Sequence, residues 1–151
     1  MRFTWLSSSH QSAVEAFMRK AGQAVPDMPT MPDAATRLLR ARLIYEEAVE
    51  TIEALGCYLG DYGGGIVLNA MATPDLAKIA DGCADLSVVT VGTLSACGLP
   101  DLPFLQEVDR ANLRKFEGDS HRDPETGKWI KPSDFKPPDI EGVLRACGWE
   151  G

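Results

Sequence analysis

Two histidines and four cysteines are all that this 151-residue sequence offers a soft metal, and they are scattered. Cys57, Cys83, Cys97 and Cys147 form no C-x-x-C pair, which excludes a zinc ribbon or a dense disulfide framework and reads as free thiols in a reducing compartment. A basic excess is missing too. The formal charge is −7, so grip on a nucleic-acid polymer through bulk positive charge is excluded. Met1 to His10 has no apolar run of signal-peptide length, so the cytoplasm is the expected compartment. Leu86 to Leu99 is uncharged, but its 14 residues carry Ser87, Thr90, Thr93 and Ser95 and fall short of the ~20 that a bilayer requires. It reads as a buried helix of a soluble bundle, with no membrane partner. There is no β-alternation of any length, no internal repeat and no low-complexity tract.

What is present suits one globular domain over 1–151: 44% hydrophobic and 25% charged residues, and enough chain for a single core. Serines 7 to 9 cap a first helix to about Ala21, with Val14, Phe17, Met18 and Ala21 at helical spacing. Pro26, Pro29 and Pro32 then forbid helix and impose an extended tether. Asp33 caps a long second helix, about Ala34 to Cys57, in which Leu38, Ala41, Tyr45, Ala48, Ile52 and Leu55 trace the seam of a packed helix pair. A loop is expected from Leu59 to Ala72. Its Gly63-Gly64-Gly65 lacks the G-x-x-x-x-G-K-[ST] pattern of a phosphate-cradling turn. Thr73-Pro74-Asp75 starts a third helix to about Cys97, and Asp101 a fourth to about Phe116. A turn-rich tail, 117–151, ends in a short helix, Ile140 to Cys147. The expected fold is an all-α helical bundle built on two long antiparallel helices, with its helical core at about 8–116.

Carboxylates mark the chemistry. Glu46, Glu47 and Glu50 share one side of the second helix, where like charges at i,i+3 and i,i+4 repel. That side also carries Leu39 and Leu43, so this helix is apolar on two faces and the acids lie within the second. Asp81 and Asp85, again i,i+4, lie on the otherwise core-like third helix. Antiparallel packing of the two helices brings the clusters opposite one another. An all-oxygen set with no His or Cys suits Mg²⁺, with Mn²⁺ as substitute, and a magnesium ion usually completes its shell with substrate phosphate. A solvated acidic face is the plain alternative for the glutamates. Cations for an anionic substrate lie between Asp109 and Lys136, where seven Lys or Arg meet six acids, against seven and thirteen over Met1 to Glu107. Trp129 and Phe135 sit among those lysines, suited either to stacking on a base or to anchoring the tail.

Glu46-Glu47-Ala48-Val49-Glu50 followed by Asp85 resembles the E-E-x-x-E … E-x-x-D signature of the all-α nucleoside triphosphate pyrophosphohydrolases. These MazG-like proteins form a superfamily with dimeric dUTPases and phosphoribosyl-ATP pyrophosphohydrolase. Ala84-Asp85-Leu86 leading to Val89-Thr90-Val91-Gly92, Glu107 to Lys115, Phe17 to Pro32 and Gly127 to Pro132 look like the single-domain bacterial and phage members, which points to host cytoplasm if the chain is viral. One departure stands out: the family's glutamate three residues before the aspartate falls on Gly82, and Asp81 is the nearest substitute.

The resemblance implies Mg²⁺-dependent hydrolysis of a (deoxy)nucleoside triphosphate to monophosphate and pyrophosphate, in a homodimer or homotetramer whose sites draw on more than one chain. It assigns Glu47, Glu50, Asp81 and Asp85 to metal and Glu46 or Glu47 to catalysis as base, with Asn112, Lys115, Lys131 and Arg110 holding phosphate or sugar. Two other functions fit the sequence: a helical dimer that binds nucleotide or a partner helix without turnover, and hydrolysis of phosphoribosyl-ATP.

Overall fold

The computed structural model describes residues 6–61, 66–70 and 72–150. Five helices run in chain order: α1 (Ser9–Lys20), α2 (Ala34–Ala54), α3 (Leu76–Ala96), α4 (Asp101–Arg114) and α5 (Ile140–Ala146). The fold is all-α in class, as the sequence predicts. Ser8 and Asp33 cap α1 and α2 by accepting from the amides of Gln11 and Thr36, which satisfies N–H groups that a helix start leaves open.

The expected loop after α2 is instead a β-hairpin, β1 (Cys57–Asp61) paired antiparallel with β2 (Ile66–Ala70), Cys57 opposite Ala70. Ile66-Val67-Leu68 is a run of strand-forming residues whose signal the neighbouring glycines mask. The Gly63-Gly64-Gly65 run lies outside the described residues. A second, two-residue ladder in the tail pairs β3 (His121–Arg122) with β4 (Trp129–Ile130).

α2 and α3 form the main helix pair and run antiparallel: Thr51 faces Gly82, and Arg40 faces Gly92. The two glycines mark where the helices come closest, and at Gly82 the contact includes the Thr51 backbone. A Cβ on Gly82 would lie 2.5 Å from Thr51 Oγ1, and one on Gly92 2.8 Å from an Arg40 guanidinium nitrogen. The seam expected on α2 is corrected by this packing. Leu38 and Tyr45, 54% and 68% exposed, point away from α3 together with Ala41 and Leu55. Ala48 and Ile52 are only half-buried, and the buried positions are Arg40, Thr51 and Ala54. Neither apolar face of this helix is the one that meets α3: Leu39, Glu46 and Glu50 of the acid-bearing face are exposed as well, and the contact stripe through Arg40, Thr51 and Ala54 runs between the two.

α3 is also less enclosed than its sequence suggests. Gly82, Val89, Val91, Gly92, Ser95 and Ala96 are buried, whereas Leu76 and Cys83 are exposed. By length and hydropathy it is the one described helix apolar enough to cross a membrane, although Asp81 and Asp85 would be costly there. α1 crosses the C-terminal half of α3, burying Val14 and Met18 against Val91 and Ala96. Its turns also bury Gln11, whose amide donates to Ser95 Oγ (3.0 Å) and to the Leu99 carbonyl (2.8 Å) and accepts from Asp101 N–H (2.9 Å). That fixes the turn between α3 and α4.

Candidate active site

The base of the α2–α3 pair is closed by backbone. Ala72 N–H donates to the Gly56 carbonyl and Asp75 N–H to the Ala54 carbonyl. Gly56 adopts φ +75°, and a side chain there would run into the Ala72 carbonyl, so only glycine lets the chain return this tightly. Thr73 and Asp75 are thereby held at the mouth of a cleft between the two helices. Asp75 serves as N-cap of α3, accepting from the amides of Ala77 and Lys78.

The cleft has a volume of about 520 Å³. Five carboxylates line it, Glu50 and Glu53 from α2 and Asp75, Asp81 and Asp85 from α3, with Lys78 as the one cation of its lining among the described residues. Glu47 borders it, half-buried one turn before Glu50, its backbone carbonyl accepting from Thr51 Oγ1 at 2.7 Å. Burial holds the Glu47 carboxyl above its ordinary proton affinity, and the negative charges of Asp85, Glu50, Glu46 and Asp81 push it further the same way. The two acid clusters therefore do face one another across the helix pair. Glu46 is exposed, on the solvent side of the cluster. Among the described residues no three Asp, Glu, His or Cys side chains stand close enough together to hold an ion as placed.

Arg110, Asn112, Lys115 and Lys131 are elsewhere in the chain. Arg110 and Arg114 both reach Glu107, at 2.9 and 3.3 Å, and Asn112 Oδ1 accepts from Lys115 Nζ at 2.6 Å. Lys131 Nζ stands 4.7 Å from the centre of the Phe135 ring. None of the four lines the acid cleft of its own chain. Three charged residues of the cleft carry no site role in the sequence-based assignment: Asp75, which caps α3, and Glu53 and Lys78. The signal of the last two was helical spacing: Glu53 is three residues beyond Glu50, and Lys78 three before Asp81.

The family model for phosphoribosyl-ATP pyrophosphohydrolase matches residues 14–112, a span that contains both acid-bearing helices and the whole cleft between them. No curated protein shows significant similarity to the chain. On a match over well more than half its length, the chain belongs to the phosphoribosyl-ATP pyrophosphohydrolase family, whose members are pyrophosphohydrolases of nucleotide-like substrates.

Proposed function

We propose that the chain is a Mg²⁺-dependent hydrolase that cleaves (deoxy)nucleoside triphosphates to monophosphate and pyrophosphate. The observation that carries this reading is the cleft, in which two helices of a pyrophosphohydrolase family direct five carboxylates and a lysine into one space. The donor set fits a hard divalent ion: it is all oxygen, and the Glu47 carboxyl is pushed up first by burial and then by the charges of Asp85, Glu50, Glu46 and Asp81. Glu50, Asp81 and Asp85 would hold the ion with Glu47 beside them, Asp81 doing the work of the glutamate that Gly82 replaces. Once bound, the ion supplies charge neutralisation and Lewis-acid polarisation of the phosphates, with Mn²⁺ as a substitute.

The chain's own groups do the rest. Glu47, with its raised proton affinity, is suited to take the proton of an attacking water, and exposed Glu46 is the other carboxylate in reach of that role. Lys78 lies on the same helical stripe as Asp81 and Asp85, where its ammonium would hold phosphate oxygens and balance charge that leaves with pyrophosphate.

The same reading calls for a second copy, as a homodimer or homotetramer. Leu38, Tyr45 and Leu55 on α2 and Leu76 on α3 leave apolar surface open beside the cleft, and Asn112, Lys115, Lys131 and Arg110 do not reach the cleft of their own chain. A partner that covers the first and supplies the second completes the site.

Phosphoribosyl-ATP is the second substrate reading, favoured by the family match itself. One panel decides between them: common deoxynucleoside and ribonucleoside triphosphates, dUTP and phosphoribosyl-ATP, each with Mg²⁺ and assayed for pyrophosphate. Release from the triphosphates, abolished in E50Q and D85N, is the expected result. Release from phosphoribosyl-ATP alone overturns the substrate assignment, and full activity in both variants overturns the site.

A further inference from the structure

The acid cleft offers carboxylates and a lysine to phosphates and a metal ion, and among the described residues its lining has no aromatic ring on which a nucleobase could stack. A surface that offers such rings lies in the tail. Phe116, just past α4, and Trp129 on β4 form a tilted ring pair with centroids 5.0 Å apart. The indole N–H of Trp129 donates to the Lys115 carbonyl at 2.8 Å, which fixes the ring plane against the end of α4. Both rings nevertheless remain open to solvent, Trp129 at 40% and Phe116 at 60% exposure. Holding two aromatic side chains rigid and half-wet gives a flat apolar face with little ordering left to do on binding.

Cations surround this face. Lys115, Lys128 and Lys131 have no carboxylate at ion-pairing distance among the described residues. The nearby Asp119 and Asp123 are engaged by backbone amides, those of Ser133 and of Glu125 and Thr126. Asn112, bonded to Lys115, adds an amide at the edge. An immobilised π-face with lysine ammonium groups that no carboxylate neutralises nearby is the chemistry that receives a base with its sugar-phosphate.

We infer that Phe116 and Trp129 form a stacking platform for the base of the nucleoside triphosphate substrate, with Lys115 and Lys131 beside its sugar and phosphates. This rests on the proposed hydrolase reading and adds its base-binding residues. Neither ring lines the acid cleft of its own chain, so a nucleotide anchored in one cleft meets the platform of a second copy. Phe116 and Trp129 both lie beyond residue 112, where the family match ends.

The test compares two ligands on the full-length chain with Mg²⁺: a non-hydrolysable α,β-methylene deoxynucleoside triphosphate, and inorganic tripolyphosphate, which has no base. W129L and F116L should each weaken the analogue by about tenfold or more, the loss expected for one stacked ring. Tripolyphosphate affinity should stay unchanged, and W129F, which keeps a ring, should retain most of the analogue affinity. In turnover the loss should fall on KM rather than kcat, because stacking is alike in ground and transition states.

Unchanged analogue affinity in F116L and W129L overturns the inference, as does an equal loss of tripolyphosphate. F116L leaves the indole hydrogen bond in place, so it decides the matter alone if W129L does not fold. A native chain that hydrolyses triphosphates while both variants behave like it defeats the platform and leaves the hydrolase reading standing. A native chain that neither binds nor hydrolyses any nucleotide defeats both.

Discussion

Gly82 and Thr51 set how near the two acid-bearing helices come. With a methyl on Gly82 only 2.5 Å from Thr51 Oγ1 and 3.2 Å from its Cα, part of the clash is with backbone and cannot be relieved by a rotamer alone. G82A should therefore cost about 1–3 kcal/mol, read as a lower denaturant midpoint, and T51A in the same chain should recover part of it. Equal stability of G82A and the native chain would mean that the helices are not in this contact. The absence of the family's glutamate thus has a physical reason on this backbone: Thr51 occupies the space where that side chain would start. Such a reason is invisible in sequence, where Gly82 registers only as a missing ligand. That Glu47 sits with Glu50, and Asp81 with Asp85, was legible, because i,i+3 and i,i+4 spacing fixes a helix face whatever the tertiary structure. Lys78 obeyed the same spacing but was one lysine among several until the cleft enclosed it. The charge-sparing variants E50Q and D85N should lose at least about a hundredfold in kcat/KM, the scale of removing a group that acts on transition-state charge. Calorimetry with Mn²⁺ should show the matching loss of ion binding, and native-like ion binding in both variants would remove these carboxylates from the metal site.

At the level of elements, the helices were readable from caps and stops. Ser8 and Asp33 accept helix-start amides as their positions imply, α3 is capped by Asp75 rather than by the Thr73 hydroxyl two residues earlier, and prolines at 26, 29 and 32 delimit α2 from α1. The β1–β2 hairpin was not readable, since its strands lack polar–apolar alternation and glycines interrupt them. Nor did apolar periodicity reveal the stripe of α2 that meets α3, because two of its three buried positions, Arg40 and Thr51, are polar. The tail is held to the bundle through Glu107, which accepts from Asp139 N–H at 3.0 Å and pairs with Arg110 and Arg114. The Asp139 amide first, then the Arg110 guanidinium, keeps the Glu107 carboxyl below its ordinary value near 4.5. Because the folded value is the lower one, this latch contributes its full stability above about pH 4.5 and loses it as the pH falls through the folded value. Hydrogen exchange at Asp139 and along α5 should accelerate on acidification through that range, and E107Q should show the faster exchange already at neutral pH. Exchange in α5 that ignores both changes would show that Glu107 does not anchor the tail.

On the proposed reading of the whole molecule, one chain presents two incomplete halves of a site. Its acids gather between α2 and α3, while its free cations and open rings collect in the tail, and exposed Leu38 and Tyr45 leave the outer face of α2 without cover. Sedimentation of the native chain should report a dimer or tetramer, and L38E with Y45E should shift it toward monomer and lower activity together. A native monomer with full turnover would contradict the shared site. Mixing E50Q with K115A and allowing subunits to exchange should restore activity above that of either alone, because some sites then combine an intact cleft with an intact lysine. The central claim, that this cleft splits a nucleotide between its α and β phosphates, is tested most directly by phosphorus NMR of a deoxynucleoside triphosphate incubated with the chain and Mg²⁺. The expected spectrum shows monophosphate and pyrophosphate growing in equal amounts, and neither when E50Q is used. Diphosphate with orthophosphate, or an unchanged triphosphate across the whole substrate panel, would contradict it.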